Sequence, residues 1–275
     1  MFKKYGVLGI FIILFVEINF FFKFIDLGTF YFPLIWFGYI FLIDALVYKL
    51  KKDSLLIKRQ SQFIGLLFLS AVFWWIFELI NFRLNNWQYK STGVVFSFGI
   101  MIKTLAFATV LPAFFETVEL IRSFHLFEKR KLQKKHKITK MFIYLMIIIG
   151  VICLILPIIL PKYFYPLVWL TFFFILDPIN YLHKQPSIIG HLKDKKLTIP
   201  LSLLLAGIIM GFLWEFWNYY ATIKWYYNIP FLGFFKIFEM PILGYLGYFP
   251  FAFELYAMYW FVRSLLYHKE HLLEK

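Results

Sequence analysis

The 275 residues are 62% hydrophobic, with a mean hydropathy of +0.74, well above the roughly 45 to 50% apolar content of soluble domains. A formal charge of +14 would suggest nucleic acid in a soluble protein, but the basic residues here track the loops between apolar runs, which excludes nucleic acid and leaves anionic lipid headgroups as their partner. The single Cys153, inside an apolar run, excludes disulfides and thiolate metal sites. His125, His136, His183, His191, His268 and His271 all fall in polar loops or the tail, so a haem or di-metal centre lacks its ligands and no cofactor is expected.

The apolar runs are continuous rather than alternating and several reach the roughly 20 residues that cross about 30 Å of hydrocarbon, which predicts an all-α polytopic transmembrane bundle. In chain order the expected spans are 6 to 27, 30 to 48, 62 to 82, 98 to 121, 141 to 160, 163 to 182, 199 to 219 and 231 to 262. The first, preceded by Lys3 and Lys4, has the outline of a signal peptide. It runs on through Glu17 and Lys23 without a small-residue cleavage site and reads as a retained span. The last is long enough to hold a re-entrant or broken element, punctuated by Pro241, Gly244, Gly247 and Pro250. Eight crossings result. Most of the Lys and Arg residues lie at the N-terminus, in the second loop, in the central loop, in the sixth loop and in the tail, which places both termini in the cytoplasm of a cell-membrane protein.

The chain repeats itself. Phe30-Tyr-Phe-Pro-Leu-Ile-Trp36 recurs as Tyr163-Phe-Tyr-Pro-Leu-Val-Trp169, and Asp44 and Ser54 answer Asp177 and Ser187 at the same offset. Glu78-Leu-Ile-Asn81 matches Glu215-Phe-Trp-Asn218, Trp87-Gln-Tyr89 matches Trp225-Tyr-Tyr227, and Pro112 with Glu116 matches Pro250 with Glu254. This order predicts two tandem four-helix repeats, 1–125 and 141–275, joined by a basic cytoplasmic linker at 126–140. An even number of spans per copy makes the repeat parallel.

Charged groups deep in a membrane cost a few kcal/mol each and face a bundle interior or an aqueous cavity, so Glu78, Glu116, Glu215 and Glu254 require an explanation. Glu and Asn three residues apart share a helical face, and the four glutamates are expected to converge from the external side within each half. Burial favours the neutral carboxyl, which can donate a proton. Beside these acids stand Trp74, Trp75, Trp87, Tyr89, Trp214, Trp217, Trp225, Tyr226 and Tyr227, whose ring faces can stabilise a carbocation. The competing structural reading makes the Glu and Asn pairs interhelical clamps and the aromatics an interfacial belt. Asp44 and Asp177 are explained by salt bridges to Lys49 and Lys184. Glu17 and Glu239 lack counterparts, Lys103 and Lys236 read as snorkelling cations that pair with nearby acids, and Glu119 reads as a secondary partner of Glu116. No GxSxG, Walker or HExxH motif occurs.

On Trp214-Glu215, Trp225-Tyr-Tyr227, Gly244 and Gly247, then Pro250 and Glu254, with Trp87-Gln-Tyr89, Pro112 and Glu116 in the first copy, the chain resembles the lycopene-cyclase-type membrane proteins, a superfamily of carotenoid β-cyclases and integral-membrane terpene cyclases. The likeness covers the second half of each repeat. The family usually carries two adjacent acids after the Pro, where this chain has one, four positions on. The resemblance implies an intramembrane acid acting on an isoprenoid-like lipid. The expected function is therefore a cyclase or isomerase of such a lipid. Glu215 and Glu254 serve as acid and counter-charge, Glu78 and Glu116 are their equivalents, and Asn81, Asn218, Trp75, Trp87, Tyr89, Trp214, Trp217, Trp225 and Tyr227 line the substrate. The alternatives are a lipid or small-solute transporter or scramblase, and a structural membrane subunit.

Overall fold

A computed structural model describes residues 2–90, 96–134, 137–231 and 233–266. Lys135 and His136 of the basic linker, and His268, Lys269, His271 and Lys275 of the tail, lie outside the described residues. The chain is mostly helical, and seven of its helices are long and apolar enough to cross a membrane, the mark of an integral membrane protein. In chain order the elements are α1 Lys4–Phe22, α2 Tyr31–Lys51, the short α3 Leu55–Lys58, α4 Gln60–Leu84, strand β1 Trp87–Tyr89, α5 Phe96–Ala108 and α6 Val110–Ser123, the last two forming one span. There follow α7 Lys140–Ile159, the short α8 Pro161–Phe164, a 3-10 turn Tyr165–Leu167, α9 Val168–Leu182, α10 Ile188–Lys193, α11 Thr198–Tyr220 and β2 Trp225–Tyr227. The hairpin β3 Lys236–Ile237 and β4 Met240–Pro241, a second 3-10 turn Ile242–Gly247 and α12 Tyr248–Leu266 complete the described chain. The long apolar run from 231 is thus broken where its prolines and glycines fall, and Pro250 sits in the first turn of α12, where a missing N–H costs nothing. α12 is 19 residues long, but its tyrosines, Trp260 and Glu254 leave it outside the seven most apolar helices.

Helix ends follow local chemistry. Lys23, Lys52 and Asn85 adopt left-handed backbone after α1, α2 and α4, and each N–H closes the last turn on Asn19, Tyr48 and Asn81, as helix C-caps do. Thr139 caps α7 by accepting from Phe142 N, and Ser187 caps α10 by accepting from Gly190 N. The break between α5 and α6 falls at Thr109, just after Ala108, whose carbonyl four residues before Pro112 is the one the proline ring excludes. Ser70 of α4 repairs it: its hydroxyl donates to Phe107 O at 2.5 Å and accepts from Leu111 N at 2.9 Å.

By packing, the chain forms two compact units, Met1–Ser123 with Met210–Pro241 and Phe124–Ile209 with Ile242–Lys275. Residues 210–241, expected with the second half, therefore fold with the first. In the first unit α1 lies against α2 at glycine contacts, since a Cβ on Gly9 would come 2.5 Å from Gly38 O and 2.8 Å from Leu42 N. In the second, Gly150 of α7 meets the backbone of α9 in the same way, 2.9 Å from Ile175 N. Small residues that admit backbone approach are the usual device where hydrophobic burial does not drive helix association. Phe68, Phe82, Met141 and Ile148 remain exposed, as lipid-facing side chains are.

Candidate functional site

In the first unit the two Trp-x-Tyr segments, sequence counterparts of one another, meet as a two-stranded antiparallel ribbon. Trp87 pairs with Tyr227, Gln88 with Tyr226 and Tyr89 with Trp225. The ribbon is extended by Lys90 N to Lys224 O at 2.9 Å and Asn228 N to Asn86 O at 2.7 Å. Tyr226 OH donates to Gln88 Oε1 at 2.5 Å across its centre. Each strand is clamped to its helix by the asparagine one turn beyond the glutamate. Asn81 Nδ2 donates to Trp87 O at 2.8 Å while its Oδ1 accepts from Asn86 N and Trp87 N. Asn218 Nδ2 donates to Trp225 O at 2.9 Å while its Oδ1 accepts from Trp225 N at 2.9 Å. Both amides, expected to orient a substrate, are engaged at both ends with the chain itself, because the backbone that turns back after each helix presents one donor and one acceptor at that height.

The glutamates of these two helices receive hydroxyl donors from the ribbon. Tyr227 OH donates to Glu215 Oε1 at 2.6 Å, and Trp225 Nε1 donates to Tyr227 OH at 2.8 Å. Glu78 Oε1 accepts from Tyr89 OH at 2.6 Å and from Trp87 Nε1 at 2.8 Å. Burial first, and the adjacent Glu78 carboxyl second, hold the Tyr89 phenol well above its usual pKa, so it remains a donor. Lys103, expected to pair with an acid, places its ammonium 3.8 Å from the centre of the Tyr89 ring, a cation–π arrangement.

Around Glu215 the aromatic side chains form a continuous network. Trp225 meets Phe32 edge to face at 5.3 Å, Phe32 meets Trp36 at 6.0 Å, and Trp36 contacts Trp217 at 4.8 Å and Trp214 at 5.8 Å. Tyr39 closes on both Trp36 and Trp217. Glu17, set aside in the sequence for want of a counterpart, belongs to this network. Its Oε1 accepts from Trp217 Nε1 at 3.0 Å and Tyr31 OH at 3.3 Å. An acid inside an otherwise apolar first span was the available signal. Trp75 stands apart, exposed, donating to Thr104 Oγ1 at 3.1 Å and packing on Phe107.

Glu116 does not converge with Glu78. It lies beside Asp44 and one turn from Glu119, whose carboxylate takes both terminal nitrogens of Arg59 at 2.7 and 2.8 Å. Arg59 opens α4 and Glu78 lies near its far end, about 28 Å away at 1.5 Å per residue. The reversal follows from helix direction, since α4 and α6 run oppositely and Glu116 falls past the middle of the span 98–123. Burial alone would lower the Arg59 pKa, but the Glu119 hydrogen bonds and charge raise it overall.

Asp44 and Asp177 are not held by Lys49 and Lys184. Asp44 is fully buried and accepts from Tyr5 OH at 2.5 Å and Leu56 N at 2.8 Å. Asp177, also fully buried, accepts from Ile188 N at 2.7 Å and Ile189 N at 3.0 Å. Both carboxylates thus anchor the N-terminus of the short helix that follows their span, where donors are unpaired and the helix dipole favours an anion. Glu239 pairs with Lys224 at 2.6 Å. In the second unit Glu254 is fully buried, with Oε1 accepting from Phe172 N at 2.8 Å. Nearby, Asn180 Nδ2 donates to Ala257 O, and the His191 ring is hydrogen-bonded to Tyr256 OH at 2.9 Å. Among the described residues no group of three or more His, Cys, Asp or Glu side chains is arranged to hold a metal ion. Comparison with family models, with curated proteins and with solved structures finds no match to this chain.

Proposed function

We propose that the chain is a membrane-embedded acid catalyst that cyclises or isomerises a hydrophobic isoprenoid-like lipid, with Glu215 as the acid and Glu78 as its counterpart. One observation carries this reading: a buried carboxyl, fixed at one oxygen by a tyrosine hydroxyl, joined through that tyrosine to a chain of ring faces. A carboxylic acid that accepts at one oxygen donates from the other. The proton goes to one alkene carbon, and the cation left on the neighbouring carbon is held against the Trp214, Trp217 and Trp36 faces. A second double bond of the same lipid then attacks that cation, or an adjacent C–H bond breaks, and a proton returns to the carboxylate. The lipid's mass is unchanged and no cofactor is consumed.

The resemblance to lycopene-cyclase-type proteins on Trp214-Glu215 and Trp225-Tyr-Tyr227 supports the same chemistry. Geometry narrows the expected acid set, because Glu116 is spent beside Asp44 and the asparagines are spent on the ribbon. The architecture we favour is eight crossings in two parallel copies with both termini cytoplasmic. The matching asparagine clamps, and a ribbon register centred on Gln88 opposite Tyr226, support two copies related by an axis along the membrane normal.

Replacing Glu215 by Gln keeps the shape and removes the acid. Because general acids contribute about 10²- to 10⁴-fold, the Glu215→Gln protein should insert and fold normally yet lose its product by at least about a hundredfold, read by lipid extraction and mass spectrometry. Product at the wild-type level would reject the proposal. Liposome flux of lipid with no chemical change would favour transport instead.

A further inference from the structure

The first unit holds a second polar centre that the acid–aromatic site does not use. Asp44, Glu116 and Ser54 are all fully buried, and they come from three separate segments: α2, α6 and the residue before α3. Glu116 abuts Asp44, yet neither of its carboxyl oxygens has a hydrogen-bond partner among the described residues. Two ionised carboxylates are acceptors only, so a pair this close either shares a proton or holds something positive between its members. The hydroxyl of Ser54 is likewise buried without a partner. It lies beside Tyr5 OH, which donates to Asp44 Oδ1 at 2.5 Å.

Of the charged surroundings, Arg59 places its positive charge near Glu116, while its side chain is bonded to other acids. Arg59 is committed to Glu119 through both terminal nitrogens and to Asp53 through Nε at 3.2 Å. Lys51 lies 3.6 Å from Glu119. Tyr39, the remaining titratable neighbour of Glu116, gives its hydroxyl to a hydrogen bond with Thr117 at 2.8 Å. Asp44 and Glu116 therefore set up to two negative charges against one arginine shared with Glu119 and Asp53, in an apolar bundle where an unpaired charge costs several kcal/mol. Three orphaned oxygens, both of Glu116 and that of Ser54, converge with Asp44 and Tyr5. Oxygen-only ligands of this kind suit a hard cation. A single proton would link the two carboxyls and leave Ser54 and the second Glu116 oxygen unsatisfied.

We propose that Asp44, Glu116, Ser54 and Tyr5 form a buried binding site for a monovalent metal cation, Na⁺. The cation joins α2, α6 and the segment leading into α3 by taking carboxyl oxygens of both acids, and it offsets one of the pair's negative charges. In the second unit the counterparts of Asp44 and Ser54 are already satisfied by backbone: Asp177 is taken by Ile188 N and Ile189 N, and Ser187 by Gly190 N, while Glu254, the counterpart of Glu116, accepts from Phe172 N at one oxygen and has no partner at the other among the described residues. The site is thus particular to the first copy of the motif and independent of the Glu215 chemistry.

The test is thermal unfolding of the purified full-length protein in detergent micelles, followed by tryptophan fluorescence, in NaCl against choline chloride at equal ionic strength. A ligand bound only by the folded state stabilises it by mass action, so the midpoint should rise with NaCl, saturate, and stay flat in choline. Glu116→Gln should weaken the apparent Na⁺ affinity at least about tenfold, the equivalent of about 1.4 kcal/mol. Ser54→Ala, which removes one ligand and no charge, should weaken it by less and serves if Glu116→Gln does not fold. Glu128→Gln, at an exposed surface carboxylate, should leave it unchanged. Identical curves in NaCl and choline would overturn the proposal. A midpoint that depends on pH but not on sodium would also overturn it, placing a shared proton between the carboxyls.

Discussion

Asn81 and Asn218 do at the residue scale what neither their helices nor the ribbon can do alone. Each side chain supplies both an acceptor and a donor to a backbone that has just left its helix, so the strand is held at the height of the glutamate one turn below. Removing the amide leaves buried backbone groups unsatisfied, at about 1–3 kcal/mol for each such loss. Asn81→Ala should therefore lower the unfolding midpoint, and it should also loosen Tyr89 from Glu78. Asn81→Asp keeps the acceptor, loses the donor to Trp87 O, and should fall between the two in the same thermal measurement. A midpoint unchanged in Asn81→Ala would mean that the ribbon is held by strand pairing alone. The sequence made the three-residue Glu and Asn spacing visible, and with it a shared helical face. It did not reveal the partners, because these depend on Asn85 turning the chain back in a left-handed conformation and on a second strand 138 positions from Gln88.

Helix contacts set the next scale, and glycine decides them in two opposite ways. At Gly9 any side chain would run into the carbonyl of Gly38 and the amide of Leu42, and backbone cannot step aside as a flexible side chain can. Gly9→Val should cost at least about 1–3 kcal/mol, in the range of overpacked cores. At Gly65, in the second turn of α4, an added Cβ meets nothing within 4 Å. Gly65→Ala should therefore stabilise by about 0.5–1 kcal/mol through helix propensity alone. Unfolding midpoints moving in opposite directions would confirm the pair, and a destabilised Gly65→Ala would show that α4 meets a surface at that position. Element positions were largely legible in the apolar runs. The break at Thr109 was not, although Pro112 stands three residues after it, because only the structure shows Ser70 of α4 making that break inexpensive. The roles of Asp44 and Asp177 were misread for a related reason: lysines lie close in sequence, but the unpaired amides of the following short helices lie closer in space.

For the whole molecule, composition and run length pointed to a multi-pass helical membrane protein, and the internal sequence repeat pointed to the two Trp-x-Tyr segments that the structure pairs as β1 and β2. Grouping by packing was beyond reach, since Met210–Pro241 joins Met1–Ser123 through ring contacts such as Trp36 with Trp217 and through the pairing of β1 with β2. Hydropathy carries no information about which aromatic residues face one another. The same limit hid the separation of Glu116 from Glu78, and with it the distinction between an acid set among rings and a carboxyl pair set among hydroxyls. The claim on which the functional account depends is chemical conversion of a lipid without change of mass. It is tested most directly by untargeted lipid profiling of cells with and without the gene, with chromatographic separation ahead of mass detection. The account predicts a hydrophobic species that appears only with the gene and shares its mass with one that declines. Identical profiles in the two strains, across all polyene and prenyl lipids, would contradict it.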